Sequence, residues 1–154
     1  MPYLGYFAAA LLGSLALTPL VRRLSLSTGW VARPREDRWH TRQTALLGGI
    51  AIYAAFLGPA LYCYIQAPAE QLLGLLLGST AIFAVGLIDD LHRLSPRVKL
   101  AGQIASALLL ISFGFDPGGL SPLLGVPLVV RWVVAITNSL NLLDNMDGLS
   151  AGVS

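Results

Sequence analysis

The chain has 154 residues, of which 55% are hydrophobic and only 12% are charged. Soluble domains carry roughly 25% charged residues, so this composition excludes an ordinary water-soluble fold. The apolar residues come in long uninterrupted runs, which is typical of a polytopic membrane protein. The single cysteine, Cys63, leaves no intramolecular disulfide and implies no cysteine-based metal site. No nucleic-acid-binding motif is present.

Five apolar runs predict an all-α fold, a single membrane domain with about five transmembrane helices. The predicted spans are about residues 3–21, 46–65, 71–88, 98–113 and 128–142. A helix needs about 20 apolar residues to cross a bilayer, and the runs are near or somewhat below that length. We interpret residues 22–45 as a polar loop, and the Gly- and Pro-rich residues 115–127 as an irregular connection.

The distribution of positive charge predicts the topology. Arg22 and Arg23 directly follow the first span, and no positive residue precedes it, which is the reverse of a cleavable signal peptide. Placing the N-terminus outside puts nine of the ten Lys and Arg residues on the cytoplasmic side, with Arg131 as the exception. Because cytoplasmic loops are enriched in Lys and Arg, this orientation is favoured. This orientation brings residues 22–45, the residues after the third span and the residues after the fifth span to one membrane face.

Two adjacent carboxylates, Asp89 and Asp90, end the third apolar run. A helix C-terminus carries partial negative charge, and neighbouring carboxylates repel each other, so packing explains neither residue. A bound divalent cation or a catalytic proton transfer would explain both. The plainer interpretation is a polar end to a membrane span, with Arg93, Arg97 and Lys99 as counter-ions.

A second polar pattern closes the fifth span, where Asn138, Asn141, Asp144 and Asp147 recur every three positions. Steps of three turn by about 300° on an α-helix, so the first and last of the four would face opposite sides. They converge only if the helix ends or tightens near Leu143. We therefore expect both asparagines on the last turns of the helix and both aspartates at its cytoplasmic mouth. A solvated helix end is the alternative, although polar groups within a span are costly.

Carboxylates, carboxamides and cations on one face suit a phosphate substrate bridged by a metal ion. Mg²⁺ prefers oxygen ligands, usually one or two carboxylates together with substrate phosphates. Lys and Arg neutralise the remaining phosphate charge. Phosphoryl transfer then depends on positioning and on charge stabilisation. Because the sequence has no Walker A motif, it does not predict ATP hydrolysis.

Three blocks of the chain resemble the polyprenyl-phosphate N-acetylhexosamine-1-phosphate transferases of glycosyltransferase family 4. The blocks match in order and spacing, and together they cover the whole chain. They are His40 through Gly48-Gly49-Ile50-Ala51, Asp89-Asp90 with Lys99 and Gln103, and Asn138-x-x-Asn141-x-x-Asp144-x-x-Asp147-Gly148-Leu149.

The resemblance implies transfer of N-acetylhexosamine-1-phosphate from a UDP-sugar to polyprenyl (undecaprenyl) phosphate, with release of UMP. The implied setting is the synthesis of lipid-linked cell-wall or surface-polysaccharide precursors at the cytoplasmic face of the bacterial inner membrane. The implied cofactor is Mg²⁺, with Mn²⁺ as an alternative. Asp89 and Asp90 would serve in catalysis and metal binding, one of them deprotonating the lipid phosphate. The substrate-binding positions implied are His40, Thr44, Lys99, Asn138, Asn141, Asp144 and Asp147.

The chain departs from the family in length, because a later metal-binding aspartate and a cytoplasmic loop containing His or Arg have no counterpart in it. We therefore interpret residues 1–154 as the N-terminal half of a longer fold. This half alone is expected to bind substrate weakly, if at all, and not to turn over. It is expected either to be poorly stable or to associate, with a homo-oligomer as one form, so that its unpartnered polar surface is covered. The nine-residue step from Asp90 to Lys99 resembles the branch that uses UDP-N-acetylhexosamine more than the muramyl-peptide branch.

Three other functions fit parts of the pattern. A cation transporter could use carboxylates at the membrane edge, but transport sites usually lie near the bilayer midplane. A CDP-alcohol phosphatidyltransferase shares Asp147-Gly148, but the residues that should follow are absent. A non-catalytic fragment with the same fold and no turnover also stays open.

Overall fold

The computed structural model describes residues 2–29, 31–32, 44–45, 48–116 and 118–143. Nearly all of these residues are helical, which confirms the all-α class. In chain order the helices are α1 (Pro2–Thr28), α2 (Gly48–Gln66), α3 (Glu70–His92), α4 (Pro96–Ser112) and α5 (Pro122–Leu143). Two strands of two residues each, β1 (Val31–Ala32) and β2 (Thr44–Ala45), pair antiparallel between α1 and α2.

Each of the five predicted spans is a helix. Among the described residues, α1, α2, α3 and α5 are long and apolar enough to cross a membrane. Helix α4 occupies the predicted fourth span, but it has 17 residues and is not one of these four. The chain is therefore an all-α polytopic membrane protein.

Three helix boundaries differ from the sequence prediction. Helix α1 continues through Arg22 and Arg23 to Thr28, so residues 22–28 are not a loop. Helix α3 extends to His92 and includes both aspartates in its last turns. Helix α5 begins at Pro122, so the second half of the expected irregular connection is helical. Hydropathy marks where apolar residues stop, whereas helical hydrogen bonding continues through polar residues, and proline is well tolerated in a first turn.

The chain divides into two compact units, Met1–Pro68 and Ala69–Ser154, and each is described by itself. In the first unit α1 packs against α2 through small residues. A Cβ atom added to Gly13 would lie 3.5 Å from the Cβ of Ala55, and Ala51 is fully buried. The rings of Tyr6 and Tyr62 lie 6.2 Å apart. Small residues of this kind let membrane helices approach closely. The assignment of one single domain stays a prediction.

In the second unit α3 and α4 form an antiparallel hairpin that depends on glycine. A Cβ on Gly74 would lie 2.5 Å from the Cβ of Phe113, and a Cβ on Gly102 would lie 2.6 Å from a methyl group of Val85. Such contacts are too short for any side chain, so glycine is required at both positions. Close contact continues along the hairpin, where a Cβ on Gly78 would lie 3.2 Å from the carbonyl oxygen of Ser106. Helix α5 also packs against α4.

The turn between α3 and α4 is short and held by its own backbone. Arg93 ends α3 in the left-handed region (φ 50°), and its N–H donates to the carbonyl of Asp89. Ser95 precedes α4, and its side chain accepts a hydrogen bond from the N–H of Val98. A serine N-cap followed by proline is a favourable helix start. The turn therefore fixes the end of α3 against the beginning of α4.

Candidate active site

The carboxylate of Asp89 is the centre of the contacts at this turn. Its Oδ2 atom lies 2.5 Å from Nζ of Lys99, and its Oδ1 atom accepts a hydrogen bond of 2.9 Å from the N–H of Leu94. The side chain of Asp89 is 21% exposed and that of Lys99 is 31% exposed. The ion pair is therefore partly buried, and it joins α3 to α4 beside the turn.

Each charge in this pair lies at the unfavourable end of its own helix. Asp89 is near the negative C-terminus of α3, and Lys99 is on the first turn of α4, where the helix dipole is positive. The antiparallel hairpin puts each charge beside the favourable end of the neighbouring helix. Pairing across the hairpin thus offsets an arrangement that would be unfavourable in either helix alone.

Asp90 has a different environment from Asp89. Asp90 is exposed, whereas Asp89 is partly buried. Consecutive residues on an α-helix are rotated by about 100°, so the two carboxylates leave α3 in different directions. The sequence prediction treated the two aspartates as one unit. The structure assigns the ion pair with Lys99 to the first of them.

The fit of this site to a divalent cation depends on its two carboxylates. Among the residues that the structure describes, no group of three His, Cys, Asp or Glu side chains could hold a metal ion. Mg²⁺ needs only one or two carboxylates when substrate phosphates supply further oxygen ligands. Asp89 and Asp90 are both carboxylates of this type, Asp89 in contact with Lys99 and Asp90 at the exposed surface. That these two residues hold the ion stays a prediction.

A second polar contact lies one helical turn along α4. Gln103 is buried, with 6% of its surface exposed, and its side chain meets Asn138 on α5. Asn138 Nδ2 donates to Gln103 Oε1 at 2.9 Å, and Gln103 Nε2 approaches Asn138 Oδ1 at 3.4 Å. Helix α4 thus contacts α3 through Lys99 and α5 through Gln103.

The residues predicted to form the site are distributed as follows. Asn138 and Asn141 lie on the last turns of α5, as expected, and Asn141 is exposed. Thr44 is the first residue of β2, in the first unit. Lys99 is in the ion pair with Asp89. The remaining three substrate-binding positions, His40, Asp144 and Asp147, lie outside the described residues. The substrate roles given to all of these residues stay predictions.

Gln103 belongs to the matching block of the sequence, but the sequence prediction assigned it no role. Two signals in the sequence could have identified it. It is a carboxamide inside an apolar run, and it lies four residues after Lys99, which puts both on one face of a helix. Its partner on α5 could be found only from the structure.

These features define a polytopic helical membrane protein with a partly buried ion pair at the end of a helical hairpin. The chain belongs to glycosyl transferase family 4, whose family model matches residues 72–154. The match begins two residues after the start of α3 and includes the rest of α3, all of α4 and all of α5. No solved structure matches the chain.

Three relatives show which proteins the chain is similar to. It is 32% identical over 158 residues to the probable undecaprenyl-phosphate N-acetylglucosaminyl 1-phosphate transferase of Bacillus subtilis (strain 168), covering 96% of this chain and 44% of the relative. It is 32% identical over 165 residues to the decaprenyl-phosphate N-acetylglucosaminephosphotransferase of Mycobacterium tuberculosis (strain ATCC 25618 / H37Rv), covering 94% and 40%. It is 34% identical over 188 residues to the phospho-N-acetylmuramoyl-pentapeptide-transferase of Mycobacterium bovis (strain BCG / Pasteur 1173P2), covering 94% and 52%. The chain spans about half the length of these relatives.

Proposed function

We propose that the protein containing this chain transfers N-acetylhexosamine-1-phosphate from a UDP-sugar to polyprenyl phosphate and releases UMP. The observation that carries this proposal is the Asp89–Lys99 pair at the end of the α3–α4 hairpin, inside the segment that matches the family. The relatives from Bacillus subtilis and Mycobacterium tuberculosis are named for transfers to undecaprenyl and decaprenyl phosphate. Cell-wall precursor synthesis in the bacterial cytoplasmic membrane is the proposed setting.

The reaction exchanges one phosphoanhydride bond for another without oxidation or reduction. An oxygen atom of the polyprenyl phosphate attacks the phosphorus that carries the sugar. The bond from this phosphorus to the oxygen bridging it to the uridylate phosphate then breaks. The bonding electron pair remains on that oxygen, which leaves as part of UMP. Both reactants are anionic, so catalysis requires cations and fixed dipoles that offset their repulsion.

The charged groups at the hairpin turn can supply these requirements. We assign Lys99 to a phosphate of the sugar nucleotide, and Asp89 to holding the ammonium group in place through the observed ion pair. Asp90 is assigned to the lipid phosphate, as the acceptor of its proton or as the ligand of a metal ion. Mg²⁺, or Mn²⁺ in its place, would neutralise charge on the phosphates when bound.

The remaining assignments follow the matching blocks of the sequence. Asn141 is exposed on the last turn of α5, and we assign it to the sugar nucleotide. We assign the same substrate to His40, Thr44, Asp144 and Asp147. Because the nucleotide is cytoplasmic, this proposal requires the α3–α4 turn to face the cytoplasm, as the distribution of Lys and Arg predicts.

The position of the aspartates favours a transferase over a cation transporter. Asp89 and Asp90 lie in the last turns of α3, near the end of a 23-residue helix. Transport sites usually lie near the middle of the bilayer, where helices are interrupted. Carboxylates at a helix end beside a basic turn are better placed to meet a headgroup phosphate.

The test is UMP release by a completed chain, defined as residues 1–154 followed by the part of the Bacillus subtilis relative beyond the matched segment. The purified protein would receive UDP-N-acetylglucosamine, undecaprenyl phosphate and Mg²⁺. We expect UMP and lipid-linked sugar phosphate in equal amounts, loss of both with EDTA, and recovery with Mg²⁺ or Mn²⁺. No UMP above a control without lipid, while the intact relative is active in the same assay, would contradict the proposal.

The 154-residue chain by itself is the matched comparison. We expect it to show no turnover, because a phosphoryl-transfer site needs a closed, largely dry cavity. We also expect it either to be poorly stable or to associate with itself. Turnover by this chain that is lost in Asp90→Asn would show that the second half is not needed.

A further inference from the structure

The hydrogen bonds of Asn138 leave no donor for a substrate. A neutral carboxamide has two N–H groups on its nitrogen. Nδ2 of Asn138 donates to Gln103 Oε1 at 2.9 Å and to the backbone carbonyl of Val134 at 2.8 Å. Both donors of Asn138 are therefore used inside the protein. The resemblance implied a substrate contact at this position, whereas the geometry describes a residue that joins two helices.

The partner of Asn138 is buried and lies beneath the candidate site. Gln103 is 6% exposed, and it lies one helical turn from Lys99, about 6 Å along the axis of α4. On α5, Asn138 lies one turn before the exposed Asn141, about 4.5 Å along the axis. The carboxamide pair thus forms a layer one turn deeper than the layer of Lys99 and Asn141.

This contact differs in kind from the contact between α3 and α4. There, glycines at positions 74 and 102 set the register by close approach of the helices. Between α4 and α5, the described side chains include a directional hydrogen-bonded pair. A hydrogen bond fixes rotation and sliding more strictly than apolar contact does, because its energy depends on angle as well as distance.

We propose that Gln103 and Asn138 are a positioning pair that fixes α5 against α4 and thereby sets the spacing between Lys99 and Asn141. The catalytic consequence of the pair rests on the proposed function, and the contact itself does not. Neither residue touches substrate. Removing either one lets α5 shift, which separates groups that must act on the same phosphates.

The contact can be tested in the 154-residue chain without any activity. The probe is the side-chain amide signals of a chain labelled with ¹⁵N at Asn and Gln and placed in lipid nanodiscs. We expect cross-relaxation between the amide protons of Gln103 and Asn138, and a displaced Asn138 signal in Gln103→Leu. Gln66→Leu is the matched control, because Gln66 donates to Tyr62 in the first unit. An Asn138 signal that is unchanged in Gln103→Leu would overturn the proposal.

The catalytic consequence is tested by kinetics in the completed chain. In Gln103→Leu and in Asn138→Leu, kcat should fall by roughly 10- to 100-fold with little change in KM, since small misplacements of reacting groups have effects of this size. The double variant should be no worse than either single variant, because both remove the same contact. Ser112→Ala is the control on α4, since its hydroxyl donates to Leu109 of the same helix.

An exchange of the two side chains separates positioning from substrate contact. Gln103→Asn combined with Asn138→Gln keeps two carboxamides and the same total side-chain length, so we expect most of the lost kcat to return. A substrate contact by Asn138 would behave differently, with a larger loss than for Gln103 and no recovery on exchange. That result would overturn the proposal. The exchange variant still tests the proposal if the leucine variants fail to fold.

The two proposals fail separately. A completed chain that makes no UMP contradicts the proposed function, whereas the nanodisc spectra still decide whether the pair exists. Conversely, if the completed chain is active but the Asn138 signal is unchanged in Gln103→Leu, the proposed function stands and the positioning pair is contradicted.

Discussion

The two helical hairpins of the chain use the same packing chemistry but end differently. In α1–α2, Gly13 meets Ala55 at an ordinary distance, and the rings of Tyr6 and Tyr62 lie close together. In α3–α4, glycines permit an approach that no side chain would allow, and the turn carries an ion pair. We therefore expect the first hairpin to tolerate small shifts and the second to hold its helices in one register.

This difference suggests a role for the tight packing of α3 against α4, which is to position the ion pair at the turn. A partly exposed ion pair contributes little to stability, typically less than about 1 kcal/mol, so Asp89 and Lys99 do not explain the hairpin. The glycine contacts explain it, because membrane helices associate mainly by close packing. The packing then places two opposite charges beside each other at a helix end. We therefore expect the first hairpin to be a scaffold and the second to carry chemistry.

The largest expected effect is all-or-none labelling, which tests whether the two ends of the second hairpin lie on opposite membrane faces. Ser95 and Ser121 each precede a proline that begins a helix, so Ser95→Cys and Ser121→Cys are matched. In a Cys63→Ala background, an impermeant thiol reagent should label the second variant in intact cells and not the first. Both should react after permeabilisation. Labelling of Ser95→Cys from outside would reverse the topology and separate the aspartates from a cytoplasmic nucleotide.

The next effect concerns turnover by the completed chain. Asp89→Asn and Asp90→Asn keep side-chain size while removing charge, and each should lower UMP release by about 10²- to 10⁴-fold. Asp90→Asn removes the proposed acid–base or metal-binding group, and Asp89→Asn releases the ammonium group of Lys99 from its position. Asp116→Asn is the matched control, because its carboxylate accepts from the N–H of Gly119 in the connection between α4 and α5. Near-normal rates in both test variants would leave the aspartates as a polar end to the span.

A smaller effect concerns the stability of the second hairpin. Gly74→Ala should lower the free energy of unfolding by about 1–3 kcal/mol, because the added methyl group overlaps Phe113. Gly86→Ala on the same helix meets nothing within 4 Å and should be neutral or stabilising by up to about 1 kcal/mol. Unfolding in mixed micelles by increasing SDS measures both. Equal stability of the two variants would contradict the glycine-dependent register.

The smallest effect is expected in the first hairpin. Gly13→Ala places its methyl group at a normal contact distance from Ala55, so the same SDS unfolding should change by less than about 1 kcal/mol. Gly58→Ala, which meets nothing within 4 Å, is the control on α2. If Gly13→Ala lowers the free energy of unfolding as much as Gly74→Ala does, close packing is equally important in both hairpins. The proposed difference between them would then be wrong.

The sequence by itself determined the number, order and approximate position of the helices and the all-α class. It could do so because apolar run length and charge asymmetry are local properties of the chain. It also identified the blocks that contain Asp89, Lys99 and Gln103. It misplaced the ends of α1 and α3 and the beginning of α5, because a helix continues through polar residues when its backbone hydrogen bonds continue.

Only the tertiary structure decided which side chains meet. The sequence offered Arg93, Arg97 and Lys99 as counter-ions of the two aspartates without choosing among them, whereas the antiparallel hairpin pairs Asp89 with Lys99 and leaves Asp90 exposed. It selected Asn138 as a site residue without finding its partners, whereas the packing of α5 on α4 shows its N–H groups donating to Gln103 and Val134. Its substrate role stays a prediction. The physical reason is that a contact between helices depends on their rotation and separation. Glycine contacts and directional hydrogen bonds set these quantities, and they involve residues that are far apart in the sequence.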